Sequence, residues 1–84
     1  MRIVIITPRL DEGTYISEEQ SNKIHDWFCE NYFEIPFIPV VGMMIDLDDF
    51  LNCEEILEEL NEMIGNVTIN QIVIGKRDIA LYCI

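Results

Sequence analysis

The chain has 84 residues, a length that fits one domain, so we take residues 1–84 as a single domain. Apolar residues make up 50% of it, which argues against intrinsic disorder, a state that combines low hydrophobicity with high charge. The 16 acidic and 5 basic residues give a net charge of −11, which disfavours direct binding to nucleic acid and to anionic membranes.

The charge is distributed unevenly along the chain. No Lys or Arg lies between Lys23 and Lys76, whereas this interval holds 11 acidic residues, from Asp26 to Glu62. The three cysteines have no CxxC spacing, which indicates reduced, buried thiols and not a disulfide framework. No segment has the length of a membrane span or the pattern of a signal peptide, so we expect a cytoplasmic protein with no membrane partner.

The chain begins with a predicted strand. Residues Arg2–Thr7 are rich in β-branched side chains, and Pro8 closes the run. Consecutive apolar residues are typical of a strand that lies centrally in a sheet or is covered on both faces. We expect a loop over residues 8–15.

A first helix is predicted from Glu18 to about Asn31. Ser17 and Gln20 have the spacing of a capping box, in which each side chain bonds to the other residue's backbone N–H. Apolar residues then recur at steps of three and four, which predicts one buried helix face: Ile24, Trp27, Phe28 and Tyr32.

The segment between the two helices is harder to assign. Pro36 and Pro39 favour a strand entrance or a sheet edge, because proline has no N–H to donate to a neighbouring strand. We predict one strand over Val40–Ile45 with a bulge at Gly42. The alternative is a hairpin that turns at Val41-Gly42, a weak turn sequence compared with Asn-Gly.

A second helix follows, with three candidate starts. It begins after Asp46, after Asp48, or after Asn52, which fits an N-cap with Glu55 at the third helical position. Gly65 is placed to end the helix in a left-handed conformation. The predicted buried stripe consists of Cys53, Ile56, Leu57, Leu60, Met63 and Ile64.

Two strands complete the chain, over Val67–Ile74 and Asp78–Ile84, around a turn at Gly75-Lys76-Arg77. The alternation of apolar residues changes phase between Ile69 and Ile72, which predicts a β-bulge near Asn70.

These elements predict an α/β (α+β two-layer) fold in the order β-α-β-α-β-β. We expect a four-stranded mixed sheet with two helices mainly on one face, and a right-handed parallel crossover at the start. If Val41-Gly42 is a hairpin, the alternative is a ferredoxin-like β-α-β-β-α-β arrangement plus one strand. Neither fold specifies a function.

The acidic face of the second helix is the main functional candidate. Its glutamates form like-charge pairs at four-residue spacing, which each cost the helix about 0.2–0.5 kcal/mol, with no lysine to relieve them. We predict a docking surface for a basic protein, which itself could bind nucleic acid. The predicted binding residues are Asp48, Asp49, Glu54, Glu55, Glu58, Glu59 and Glu62.

His25 and Cys29 lie one helical turn apart and form a second candidate. Two such side chains fall short of the three or four ligands of a zinc site, unless Cys53 lies close to them. No third group that would orient a Cys–His nucleophile is evident. We therefore predict no catalytic residue, no metal and no cofactor here.

The loop after the first strand is the third candidate, because ligands of open α/β sheets bind beyond the strand ends. Its Thr7, Arg9, Thr14 and Tyr15 precede a helix N-terminus that favours anions. The loop lacks the glycines of a phosphate-binding loop, and its two acids repel phosphate.

The leading functional prediction is thus a small acidic module without enzymatic activity, which inhibits or modulates a basic protein. The first alternative is binding of a small anion or nucleotide, or an enzymatic role, at the loop after the first strand. The second is a homo-oligomeric assembly protein, with a homodimer covering the sheet face that the helices leave open.

Overall fold

The computed structural model describes residues 2–8, 17–60 and 64–84, and of Leu60 only the backbone. The described elements form a mixed α+β fold with a curled five-stranded sheet and three helices. In chain order they are β1 (Arg2–Ile6), α1 (Glu18–Glu30), β2 (Phe33–Glu34), β3 (Met44–Asp46), α2 (Leu47–Phe50), α3 (Glu54–Leu60), β4 (Asn66–Ile74) and β5 (Ile79–Cys83).

The strand order across the sheet is β2-β1-β5-β4-β3. β1 and β5 are parallel, and the other neighbouring pairs are antiparallel. The prediction of four strands is therefore corrected to five, and β1 does lie centrally. The strand predicted over Val40–Ile45 corresponds to β3, which runs parallel to β1, because β5 is parallel to β1 and two antiparallel pairings connect β5 to β3. The predicted parallel direction of these two strands is thus confirmed, but β3 lies at the far edge of the sheet. The additional strand β2, which was not predicted, is antiparallel to β1.

The middle segment differs from both predictions. Val40 and Met43 close a turn through a backbone hydrogen bond of 3.1 Å, and Gly42 has φ of 98°, the positive value that a type II turn needs at this position. The predicted single strand over Val40–Ile45 is thus a turn followed by β3. Two strands do lie between the helices, as in the ferredoxin-like alternative. They do not pair, however, and lie at opposite edges of the sheet.

The predicted second helix is divided into two short ones. The Asp46 carboxylate caps α2 by accepting the Asp48 N–H at 3.1 Å. The chain then leaves the helical conformation and resumes it in α3, where the Leu57 N–H bonds to the Cys53 carbonyl at 3.0 Å. Two of the three candidate starts therefore correspond to helix starts in the structure. α2 begins directly after Asp46, and α3 begins after Cys53, one residue later than the candidate Asn52.

Four local predictions are confirmed by the backbone. Ser17 and Gln20 form both hydrogen bonds of the capping box. Gly65 has φ of 97°. The register of β4 against β5 shifts between Ile69 and Gln71, which places the bulge at the skipped residue. The turn that joins β4 to β5 is closed by the Gly75 N–H, which donates to the Asp78 carbonyl at 2.8 Å.

The core lies on one side of the sheet. The inward residues of β1, β4 and β5 pack against residues from all three helices, so these helices share one face of the sheet. The buried residues are Ile3, Ile5, Ile24, Phe28, Ile35, Leu47, Leu51, Ile56, Val67, Ile69, Leu81 and Cys83. The aromatic rings of Trp27 and Phe33 flank Phe28 in this core. The other sheet face carries no helix among the described residues.

Candidate functional site

Most of the predicted acidic residues lie on the solvent side of the helical layer. Glu54, Glu55 and Glu58 are exposed on α3, and Asp49 is exposed on α2. We call these four residues the acidic surface. Glu62 lies outside the described residues. Within the described part of the chain, none of these four carboxylates forms an ion pair with a Lys or Arg.

Asp48 has a different role from its neighbours, because its carboxylate is used within the fold. One oxygen accepts the Ile64 N–H at 2.8 Å, and the other accepts the Gly65 N–H at 2.9 Å. These bonds tie α2 to the chain entering β4. Asp48 therefore contributes two structural hydrogen bonds that the acidic pattern alone did not reveal.

Glu59 is also engaged within the molecule. Both of its carboxylate oxygens lie 2.9 Å from the Lys23 ammonium, and the Gln20 amide donates to the Glu59 carbonyl at 3.2 Å. The hydrogen bond that Lys23 donates to Glu59 raises the pKa of Lys23 above its ordinary value. These contacts join α1 to α3 and neutralise one glutamate of the predicted face.

A shallow groove of about 270 Å³ runs between α1 and α3, beside the acidic surface. Carboxylates from both helices line it, and Trp27 is the aromatic residue in its wall. The lining residues are Lys23, Asp26, Trp27, Glu30, Cys53, Glu55 and Ile56. The prediction missed Asp26 and Glu30 as site residues, although their four-residue spacing is the same signal that singled out the glutamates of the second helix.

The side chains of His25 and Cys29 are in contact, and a backbone carbonyl orients the imidazole ring. The Cys29 Sγ lies 3.6 Å from His25 Nε2, and His25 Nδ1 lies 3.0 Å from the Thr7 carbonyl oxygen. The backbone of β1's carboxyl end thus supplies the orienting group that the sequence did not show. A neutral imidazole that donates through Nδ1 to Thr7 leaves Nε2 free to accept from the thiol.

The surroundings of Cys29 oppose its use as a nucleophile. Partial burial, and then the charges of Asp26 and Glu30, raise the pKa of the Cys29 thiol. A catalytic cysteine needs the opposite shift, toward thiolate at neutral pH. Among the described residues, no group of three His, Cys, Asp or Glu side chains is placed to hold a metal ion.

The loop after β1 is described only in part. Thr7 is buried, and its hydroxyl lies 3.4 Å from His25 Nδ1, so it points into the fold. Arg9, Thr14 and Tyr15 lie outside the described residues. At the start of α1, the Ser17 hydroxyl already accepts the Gln20 N–H at 3.2 Å.

A separate cavity of about 180 Å³ opens beside the segment that joins β2 to β3. Its lining is apolar except for Asp46, whose carboxylate caps α2. Ligand pockets combine an apolar lining with a few convergent polar groups, which this cavity lacks. We assign it no ligand.

Cys83 makes stability depend on pH in a predictable direction. Burial raises the pKa of its thiol to about 11, from an ordinary value of 9.0. As pH rises, the unfolded chain loses this proton first, so the free energy of unfolding falls. Between pH 8 and pH 10 we expect a loss of about 1 kcal/mol that the Cys83→Ala variant does not show. Urea unfolding of the original chain and of Cys83→Ala at both pH values measures this loss. An equal loss in the two proteins would contradict the raised pKa of Cys83.

No family model matches the chain, and no match was found among curated proteins or among solved structures. None of the helices in the described ranges is both long and apolar enough to cross a membrane.

Proposed function

We propose that this protein is a non-enzymatic docking module, which binds a basic segment of another protein and so modulates it. The binding site consists of the acidic surface together with the adjoining groove between α1 and α3. The observation that carries the proposal is the gathering of carboxylates from both helices around a groove whose Lys23 is already bound to Glu59.

The electrostatics of α3 support a basic partner. Glu54 and Glu58 lie one helical turn apart, an arrangement that costs an isolated helix about 0.2–0.5 kcal/mol. A bound lysine or arginine removes this repulsion and gains attraction from both carboxylates. Long-range attraction to the net charge of −11 also raises the rate of association.

The groove supports recognition of one long basic side chain. Asp26 and Glu30 project from α1 and Glu55 from α3, while Trp27 and Ile56 provide apolar surface between them. Lys and Arg side chains bury their aliphatic stems on such surface and keep the charged group at the rim. An arginine guanidinium can also stack on the Trp27 indole.

Removing two charges from the acidic surface should weaken binding of a basic peptide. The variant is Glu54→Gln with Glu58→Gln, and the probe is a fluorescein-labelled peptide of nine arginines in 50 mM NaCl. We expect its dissociation constant by fluorescence anisotropy to rise about fivefold, since two exposed charge pairs contribute roughly 1 kcal/mol together. Raising NaCl to 300 mM should weaken binding of the unmodified protein further.

A matched control separates this surface from the overall charge. Glu34→Gln with Asp78→Asn also changes the net charge from −11 to −9, but alters β2 and the β4–β5 turn. We expect less than a twofold change in peptide binding for this variant. Equal losses in both variants would show that the peptide responds only to net charge, and the proposal would fail.

The same double variant should be about as stable as the original chain, because losing the favourable interaction of Glu54 with the N-terminus of α3 offsets the relief of its repulsion from Glu58. Replacing Glu54 and Glu58 by glutamine also leaves the core unaltered. Thermal unfolding followed by circular dichroism should therefore show an unchanged midpoint alongside the weakened binding. A lowered midpoint would mean that these glutamates stabilise the fold, which the exposed positions on α3 do not suggest.

A further inference from the structure

Trp27 is the only tryptophan of the chain, and its half-buried indole forms part of the wall of the groove between α1 and α3. The indole contacts two other aromatic rings of the core. Its centroid lies 4.9 Å from that of Phe28, edge to face, and 5.9 Å from that of Phe33. These contacts fix the orientation of the indole, so the groove has a preformed aromatic surface that a ligand does not have to organise.

Carboxylates from two helices line the groove together with this aromatic surface. Asp26 and Glu30 lie one helical turn apart on α1, and Glu55 lies on α3. All three side chains are exposed, and within the described ranges none of them forms an ion pair with a Lys or Arg. The groove therefore combines an aromatic ring with several carboxylate acceptors.

The lysine that lines the groove bonds to a carboxylate outside it. The Lys23 ammonium lies 2.9 Å from both carboxylate oxygens of Glu59, which is not among the groove-lining residues. An ammonium is a compact, strongly hydrated charge without a flat face. A lysine of a partner has the same choice of carboxylates, because Glu54 and Glu58 on the acidic surface offer it the same charge as the groove. Charge alone therefore does not direct a lysine into the groove.

The molecule itself contains an arginine that stacks on an aromatic ring. The guanidinium carbon of Arg2 lies 3.8 Å from the centroid of the Tyr32 ring, and Glu34 is directly opposite Arg2 in the β1–β2 pair. Tyr32 is 47% exposed, so this contact forms at the surface of the protein. The same two kinds of group, an aromatic ring and carboxylates, line the groove, where Trp27 corresponds to Tyr32.

We propose that the groove selects arginine over lysine, and that an arginine in the partner's basic segment packs its guanidinium on Trp27. This inference rests on the proposed docking function and names the residue that confers specificity. A guanidinium is planar and weakly hydrated, so it stacks on an indole and still donates to carboxylates at its edge. The acidic surface supplies the attraction that lysine and arginine share, and Trp27 supplies the contact that only arginine makes well.

The test compares a peptide of nine arginines with a peptide of nine lysines, which carries the same charge. We expect the unmodified protein to bind the arginine peptide about fivefold more tightly by fluorescence anisotropy, a difference that corresponds to about 1 kcal/mol. The emission of Trp27 gives a second readout that reports on the groove alone, because the chain has no other tryptophan. Unlabelled arginine peptide should protect Trp27 from quenching by acrylamide more than the lysine peptide does at equal saturation.

Two matched variants locate the preference. Trp27→Leu removes the aromatic surface and keeps an apolar side chain, so the preference for arginine should fall below about twofold while the affinity for the lysine peptide stays the same. Tyr32→Leu is the control, because it removes an exposed aromatic ring that does not line the groove, and it should keep the preference. Circular dichroism checks that both variants fold. The acrylamide measurement on the unmodified protein decides the question even if Trp27→Leu does not fold.

Three outcomes would overturn the selection of arginine and leave docking intact. The first is equal affinity of the unmodified protein for the two peptides. The second is an arginine peptide that binds without protecting Trp27 from acrylamide. The third is a folded Trp27→Leu variant that keeps the full preference. If neither peptide binds the unmodified protein, the docking function itself fails, and the arginine inference fails with it. The two failures are therefore distinguishable.

Discussion

Replacing Phe28 by alanine should cost about 3–5 kcal/mol of folding free energy, the largest effect that we expect from a single substitution in this chain. Phe28 is completely buried in α1. Its ring centroid lies 4.9 Å from that of Trp27, edge to face, and 6.0 Å from that of Phe33. The substitution removes these ring contacts and leaves a cavity between the helix and the sheet.

A domain of this length has a total stability of about 4–13 kcal/mol, so Phe28→Ala should leave little folded margin. Urea unfolding followed by far-UV circular dichroism measures the loss. Phe37→Ala is the matched control, because the same substitution is made at a side chain that is 50% exposed. It should cost less than about 1 kcal/mol. Similar losses in the two variants would contradict the position of Phe28 at the centre of the core.

The second large effect concerns Asp48. Asp48→Ala removes the acceptor of the Ile64 and Gly65 N–H groups, both at hydrogen-bonding distances below 3.0 Å. Hydrogen bonds to a charged group contribute about 1.5–3 kcal/mol each, so we expect a loss of about 3 kcal/mol. Asp48→Asn keeps one acceptor oxygen and should lose less.

Asp49 provides an internal control for Asp48, since the adjacent residue carries the same charge and is exposed on α2. Asp49→Ala should leave the free energy of unfolding within about 0.5 kcal/mol of the original value. It should instead weaken peptide binding modestly. Equal stability losses at the two positions would mean that the general charge, and not the two hydrogen bonds, accounts for the effect of Asp48.

Features that depend on a few neighbouring residues were predictable. The capping box of Ser17 and Gln20, the left-handed Gly65 and the bulge between Ile69 and Gln71 each follow from residues within one turn or one strand. The placement of the α3 glutamates on the solvent side likewise follows from helical periodicity. In each case the physical cause is local: a cap, a backbone conformation or an alternation of apolar side chains.

The division of the second helix was less predictable, because it depends partly on contacts between residues far apart in the chain. Asp46, Asp48 and Asn52 all had the properties of helix caps, so sequence alone offered three starts. Asp46 caps α2 locally, but Asp48 bonds to residues 16 and 17 positions further along the chain. No periodicity or capping rule specifies such a contact, because it exists only after β4 has joined the sheet.

The sequence by itself determined an acidic mixture of helices and strands, with the start of α1, the turn between β4 and β5, and the exposed glutamates. Only the tertiary structure decided that β2 and β3 lie at opposite edges and that Asp48 and Glu59 bond within the fold. It also decided that Asp26, Glu30 and Glu55 share a groove. The reason is that strand pairing and contacts between helices join residues far apart in the chain, and their free energy depends on the packing of the whole domain.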